Sequence, residues 1–430
     1  MTAEIAVYNK SAVALAADSA VTVTGGNFGS KIYNGAEKLF ALTKHHPVGI
    51  MVYGTGDLCG VPWELIIKQY RKKLQTDHFD TLEEYAIDFW EFLKGSSQMI
   101  PADLREFALH SSFAQAFNYL LGGVDLKAKQ LVDSTGVSPN ERETIQFFDD
   151  VCTEIINNLD AGPFFEGFDS QDVVDLTQEV DSYVDGYLSQ VLPDVTFSGP
   201  LKTKFSLMLR LVACKQNILG VNTGVVFAGY GDKEYFPVVL AFKVQGFSNG
   251  KLRFAPNLEK SAAAGQSGLH AYAQEDEVKT FTQGVNPVLL QAISDSFNLA
   301  LNNIQAAMGD LIDAHCNGDE DYKLALKQQF LDCREQNWQQ VNETVSTAMR
   351  SNHFDKVTQM IEFLPKDELA YMSESLVNMT AFKRKVSNDT ETVGGPIDVA
   401  IISKGDGFIW VKRKHYFNKE LNSHYFNDFL

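Results

Sequence analysis

Apolar residues in the first fifty-seven positions come in short runs and not at helical spacing. Residues 5–8 and 12–17 flank the polar turn Asn9-Lys10-Ser11, a pattern that predicts a β-hairpin. The second run is almost wholly small or apolar and ends in Asp18-Ser19. Such a strand is expected to be covered on both faces, with Asp18 at its buried end. A loop rich in glycine (Gly25, Gly26, Gly29) and a charged stretch follow, and Lys38 leads into Leu39-Phe40-Ala41-Leu42. Residues 48–53 predict another strand, closed by Gly54-Thr55-Gly56.

After Gly60 the period changes. Residues 61–71 carry Pro62 near the start and apolar positions at helical spacing. Asp80 or Thr81 is placed to cap a second amphipathic helix reaching Leu93, and residues 101–121 repeat the pattern. Only helices are expected from about 76 to 214, including one opening at Asn140 and one over 172–192. The acidic stretch 164–185 (Glu166, Asp169, Asp172, Asp175, Glu179, Asp181, Asp185) lacks the alternation and turn glycine of a calcium loop and reads as a solvated face. Strands return at 223–231, 236–242 and 252–254, joined by Gly231-Asp232-Lys233 and Ser248-Asn249-Gly250 as an antiparallel meander. Residues 286–362 are predicted helical, with long helices over 289–311 and 323–349 and Trp338 as a packing residue. A helix from Pro365 to about Arg384 precedes a hairpin over 393–411 that turns at Gly405-Asp406-Gly407.

Composition narrows the function classes. The 430 residues are 45% hydrophobic and carry a formal net charge of −18, which argues against nucleic acid and anionic membranes as partners. Five cysteines without a CxxC spacing predict reduced thiols, not a disulfide framework or zinc site. The N-terminus lacks a basic region followed by an apolar one, and no apolar run of membrane-spanning length occurs, so a cytoplasmic location is expected. The histidines show no HExxH spacing, GxSxG is absent, and Gly229-Tyr230-Gly231 lacks the third glycine of a phosphate loop.

The chemistry-bearing residues of the first stretch are Thr2, Asp18 and Lys38, and their surroundings carry a resemblance. Thr2, Ala16-Ala17-Asp18-Ser19, Lys38-Leu39-Phe40 and Gly54, with the late Gly394-Gly395-Pro396-Ile397-Asp398 hairpin entry, resemble proteasome β-type subunits and their bacterial relatives among the N-terminal nucleophile (Ntn) hydrolases. The resemblance covers roughly residues 1–75, 216–260 and 365–412. It implies one α+β domain over 1–430, a four-layer αββα sandwich with helical insertions at 76–214 and 270–362 and a tail at 413–430. It further implies a threonine-type amide-bond hydrolase acting on a peptide or small amide, without metal or organic cofactor, assembled as a homo-oligomeric ring or dimer.

In that chemistry Thr2, exposed by removal of Met1, is the nucleophile, and its own α-amine is the base that takes the hydroxyl proton. An α-amine has an unperturbed pKa of about 7.7–8.0, and a neighbouring lysine lowers it. Asp18 would hold Lys38 charged and in place, with Lys31 as a rival for the same role. A backbone N–H at or beside Gly54 would stabilise the oxyanion. The sequence departs from the family where Val393 replaces a serine and Thr390 an aspartate, with Asp389 and Glu391 adjacent. That departure favours an alternative, a non-catalytic proteasome-like scaffold or binding subunit; a further alternative is a non-peptide amidase of the same fold.

Overall fold

The computed structural model describes residues 3–25, 29–220, 222–316, 320–387, 393–418 and 420–422. The protein is a mixed α+β molecule whose sheets are antiparallel. The chain opens with the expected hairpin, β1 (Glu4–Tyr8) and β2 (Val13–Ala17), every residue of which is buried. Where a glycine-rich loop was expected, β3 (Ala20–Gly25) pairs with β4 (Gly29–Asn34). The β-branched and aromatic residues flanking the glycines, Val21, Thr22, Ile32 and Tyr33 among them, account for the two strands. β5 (Leu39–Ala41), β6 (Val48–Gly54) and the short pair β7 (Asp57–Leu58) and β8 (Val61–Pro62) complete the first stretch.

Helices follow: α1 (Trp63–Leu74), α2 (Leu82–Lys94), α3 (Ala102–Thr135), α4 (Glu141–Ala161), α5 (Ser170–Asp175), α6 (Thr177–Val191) and α7 (Gly199–Cys214). Thr81 and Asn140 cap α2 and α4 through reciprocal capping boxes with Glu84 and Glu143. α3 runs past Gly122-Gly123, well beyond the expected end near 121. A Cβ at Gly123 would lie 2.7 Å from Val151, so this glycine is kept by the close approach of α4 and does not mark a helix end.

The second half holds β9 (Thr223–Gly229), β10 (Val238–Ser248), β11 (Lys251–Pro256) and β12 (Gly268–Ala271). These are followed by α8 (Asp276–Gln283), α9 (Pro287–His315), α10 (Glu320–Met349), α11 (Asp355–Phe363) and α12 (Lys366–Val386). The hairpin β13 (Asp398–Ser403) and β14 (Gly407–Lys412) comes last.

One sheet has the order β12-β1-β2-β13-β14, the other β11-β10-β9-β6-β5. Alternation along the strands sorts their side chains into separate clusters. Ala6, Tyr8, Val13 and Leu15 of the first sheet meet Met51, Val226, Ala228 and Val239 of the second between the two sheets. Ile5, Val7, Ala14 and Ala16 point the other way, against Leu369, Leu376 and Val377 of α12. Ile50, Val52, Val225 and Phe227 pack on Trp63, Ile66 and Tyr70 of α1 and on Tyr85, Phe89 and Trp90 of α2.

Two expected boundaries differ from the structure. α2 covers the second sheet, and the separate core of the helical region begins only at Leu109 in α3. The expected start of the second insertion at 270 falls inside β12, which pairs with β1 from Ile5↔Ala271 to Tyr8↔Gly268. At four residues β12 is too short for an alternation signal to stand out. The acidic stretch is a solvated face except at Asp172, which is buried and bound by Lys251 Nζ at 2.8 Å and Asn249 Nδ2 at 2.9 Å. The expected helix over 172–192 is divided at Leu176 into α5 and α6.

Candidate active site

The end of β2 gathers three distant parts of the chain around one carboxylate. Asp18 is 0% exposed. Its Oδ1 accepts the Ala3 N–H at 3.1 Å and Lys38 Nζ at 2.5 Å. Its Oδ2 accepts the N–H of Ala20 at 3.2 Å and of Gly394 at 2.9 Å. Ser19 adds a backbone bond to Gly394 O and a side-chain bond to Pro396 O, so the glycine pair before β13 is stitched to the end of β2. A buried carboxylate that accepts this many donors is held in a fixed orientation.

Lys38 sits just before β5 and is 6% exposed. Its carbonyl accepts the Val52 N–H at 2.9 Å, which aligns it with the end of β6. Lys31, the rival, lies on β4 and is exposed. Gly54 is the last residue of β6, two beyond the Lys38 contact, and pairs with Thr223. Its φ is +88°, and a Cβ there would fall 2.4 Å from Asn222 O, so the position requires glycine on two counts. Beyond it, the hydroxyls of Thr55 and Thr223 bond one another, and Trp63 Nε1 donates to Thr223 Oγ1 at 3.4 Å. These contacts pin the turn that follows Gly54.

The structure thus brings Asp18 and Lys38 into contact and sets Gly54 at the same end of the second sheet. Thr2 lies outside the described residues, as do Asp389, Thr390 and Glu391. Val393 is buried among apolar residues beside Val399 and α12, so no hydroxyl stands at that position.

Glu4 was not singled out from the sequence. It is 1% exposed, and its Oε1 lies 3.4 Å from Lys38 Nζ, so Lys38 stands between two carboxylates. The available signal was an acid at the head of an otherwise apolar strand, a placement that needs a partner once buried. Tyr53 was missed as well. Burial first, with the charges of Glu4 and Glu275 adding and a hydrogen bond from Asn257 opposing, pushes its phenol up to about 12. Its ring lies against Gly224, where any Cβ would collide with it.

No group of three or more His, Cys, Asp or Glu among the described residues is arranged to hold a metal ion. No helix among them is long and apolar enough to cross a membrane. The five cysteines are free thiols. No protein-family model matches the chain, and no curated protein matches it.

Proposed function

We propose that the chain is a threonine-type Ntn hydrolase related to proteasome β-type subunits, with the two facing sheets and their outer helices forming a four-layer αββα sandwich. The observation that carries this reading is the buried Asp18 carboxylate, which ties the residue bonded to Thr2 (Ala3), Lys38 and the Gly394 turn to one point. Removal of Met1 would give Thr2 a free α-amine. That amine takes the Thr2 hydroxyl proton as the oxygen attacks an amide carbonyl. In this chemistry the charge on Lys38 lowers the affinity of that amine for its proton. Backbone N–H groups at the Gly54 turn receive the developing oxyanion. Collapse of the tetrahedral species expels the amine product and leaves an ester on Thr2, which water then hydrolyses. The substrate is a peptide or a small amide, and a homo-oligomer remains the expected assembly.

A second reading, a non-catalytic scaffold of the same fold, is favoured by the apolar burial of Val393 where the family carries serine. Intact mass before and after incubation with a peptide epoxyketone separates the two. Loss of Met1 and one adduct, abolished by Thr2→Ala, is the expected result. A processed chain that takes no adduct supports the scaffold.

A further inference from the structure

We infer that α9 is a dimerisation surface that pairs antiparallel with the same helix of a second copy of this chain. The candidate active site plays no part in this surface.

α9 has two apolar faces. One is turned to α10: Asn298 accepts a hydrogen bond from Arg334, and Leu301, Met308 and Ile312 are half-buried or buried. The other carries Ile293, Phe297, Ala300, Ile304, Ala307 and Leu311 at alternating steps of four and three residues, the spacing of a coiled-coil seam. All six are exposed. Phe297, whose ring stacks on Trp338, is the most covered of the large ones and is still 38% exposed. Leu290 and Ala314 continue the seam at either end. On a helical projection the two faces lie about 100° apart, which leaves room for a second helix beside α10, as at neighbouring edges of a four-helix bundle.

The order of large and small residues selects the partner. Laid antiparallel on itself about a point between Ala300 and Ile304, the seam sets Ile304 against Ala300 of the second copy and Phe297 against its Ala307. Ile293 then meets Leu311, and Leu290 meets Ala314. Three of these four layers match a large side chain with an alanine, so the layers fill similar volumes. Parallel pairing would set Phe297 on Phe297 and Ala300 on Ala300, crowding some layers and leaving others empty.

Charge and area point the same way. Asp295 is the one charged residue among 287–309, and it projects on the side away from the seam. α9 has no Lys or Arg with which to approach an anionic membrane. Ile293, Ile304 and Leu311 are each at least half exposed, and with Phe297 and the alanines they leave on the order of 600 Å² of surface in water, as large as apolar patches on single chains usually become. Two such faces together bury roughly 1,200 Å², the lower bound of a specific interface, which suits a dimer of micromolar affinity.

Sedimentation velocity of the full chain over a range of concentrations is the test. The expected result is a reversible dimer with a dissociation constant of about 1–50 µM. Ile304→Glu puts a carboxylate into the seam and should weaken association at least about tenfold. Unfolding of this variant, followed by tryptophan fluorescence at about 0.5 µM, reports the single chain and should keep the wild-type midpoint. Orientation is read by mixing. Ile293→Lys and Leu311→Glu should each weaken the homodimer, and an equimolar mixture of the two should regain near-wild-type association, because these positions meet only in the antiparallel register. In parallel pairing they stand about 27 Å apart, and mixing restores nothing. A wild-type chain that stays monomeric at about 200 µM overturns the inference, as does one that instead floats with phosphatidylcholine vesicles. An association that Ile304→Glu leaves unchanged also overturns it, and a mixture without recovery overturns the antiparallel register.

Discussion

The first helical region and the α9–α10 hairpin are built from similar proportions of apolar residues and end in opposite states. In the first, Leu109, Phe113, Phe117 and Leu120 of α3 meet Phe148 and Val151 of α4 and Phe205, Met208 and Leu209 of α7 in one continuous buried cluster. Aromatic rings lock it together, with Phe205 packed edge-on to Phe117, Phe148 and Phe197. In the hairpin, Ile312 is the one buried residue of α9, and α10 has none. Leu289, Ile293, Ile304 and Leu311 of α9 are exposed, while Ser294, Asn298 and Gln305 are half-buried. Asn298 accepts a hydrogen bond from Arg334 of α10 at 2.6 Å. Apolar spacing forecasts that a segment is helical. It does not forecast which face will be covered when apolar residues stand on more than one side.

The widest gap between the regions is expected from truncating Phe205. Phe205→Ala empties the middle of the first cluster and should cost about 3–5 kcal/mol, read as a lower denaturant midpoint with an unchanged m-value. A loss below about 1 kcal/mol would mean that this cluster is not packed as described.

Acidification gives the next largest effect, and it acts on the sheets. His270 on β12 has Tyr8 Oη 3.0 Å from its Nε2. Burial, with a smaller push from Lys260, lowers its pKa from 6.5 to about 4. The unfolded chain therefore binds a proton that the folded chain refuses between these values. The contribution of neutral His270 is complete above about pH 6.5 and is lost as pH falls toward 4, with a slope of at most roughly 1.4 kcal/mol per pH unit. His270→Asn should flatten the stability profile over this window in urea titrations at pH 7, 5.5 and 4.5. An unchanged slope would assign the acid sensitivity to other groups.

The hairpin supplies the smallest effects. A Cβ on Gly284, just before α9, would lie 2.5 Å from the His353 ring, just after α10, so the hairpin leaves and re-enters the molecule at one place. Replacing residues 287–349 by a short Gly/Ser linker should shift the midpoint by less than about 1 kcal/mol and leave the His270 slope intact. Ile304→Ala should fall within about 0.5 kcal/mol of wild type. A large loss in either variant would show that the hairpin supports the sheets, and the contrast between the regions would fail.

Much of the site was legible because its signals are local. Asp18 closes an apolar run, Lys38 precedes another and Gly54 closes a third, so their positions at strand ends follow from short apolar runs bounded by polar or glycine-rich turns. The hairpins β1–β2 and β13–β14 follow from apolar runs separated by turn residues, and the capping boxes at Thr81 and Asn140 from their own first turns. The β3–β4 hairpin was hidden by its glycines, and β12 by its brevity.

What the sequence could not supply depends on distance along the chain. Contacts of Asp18 with Gly394 and of Lys38 with Glu4 join residues that only the sheet order β12-β1-β2-β13-β14 and its packing on β5 and β6 bring together. The burial of Val393 and Asp172 was likewise decided by what packs above them. Strand and helix tendencies arise from neighbours within a few residues, so the sequence by itself determined the elements and their ends. The partner of a buried charge is chosen by the free energy of removing it from water, and that choice is made only when the layers close.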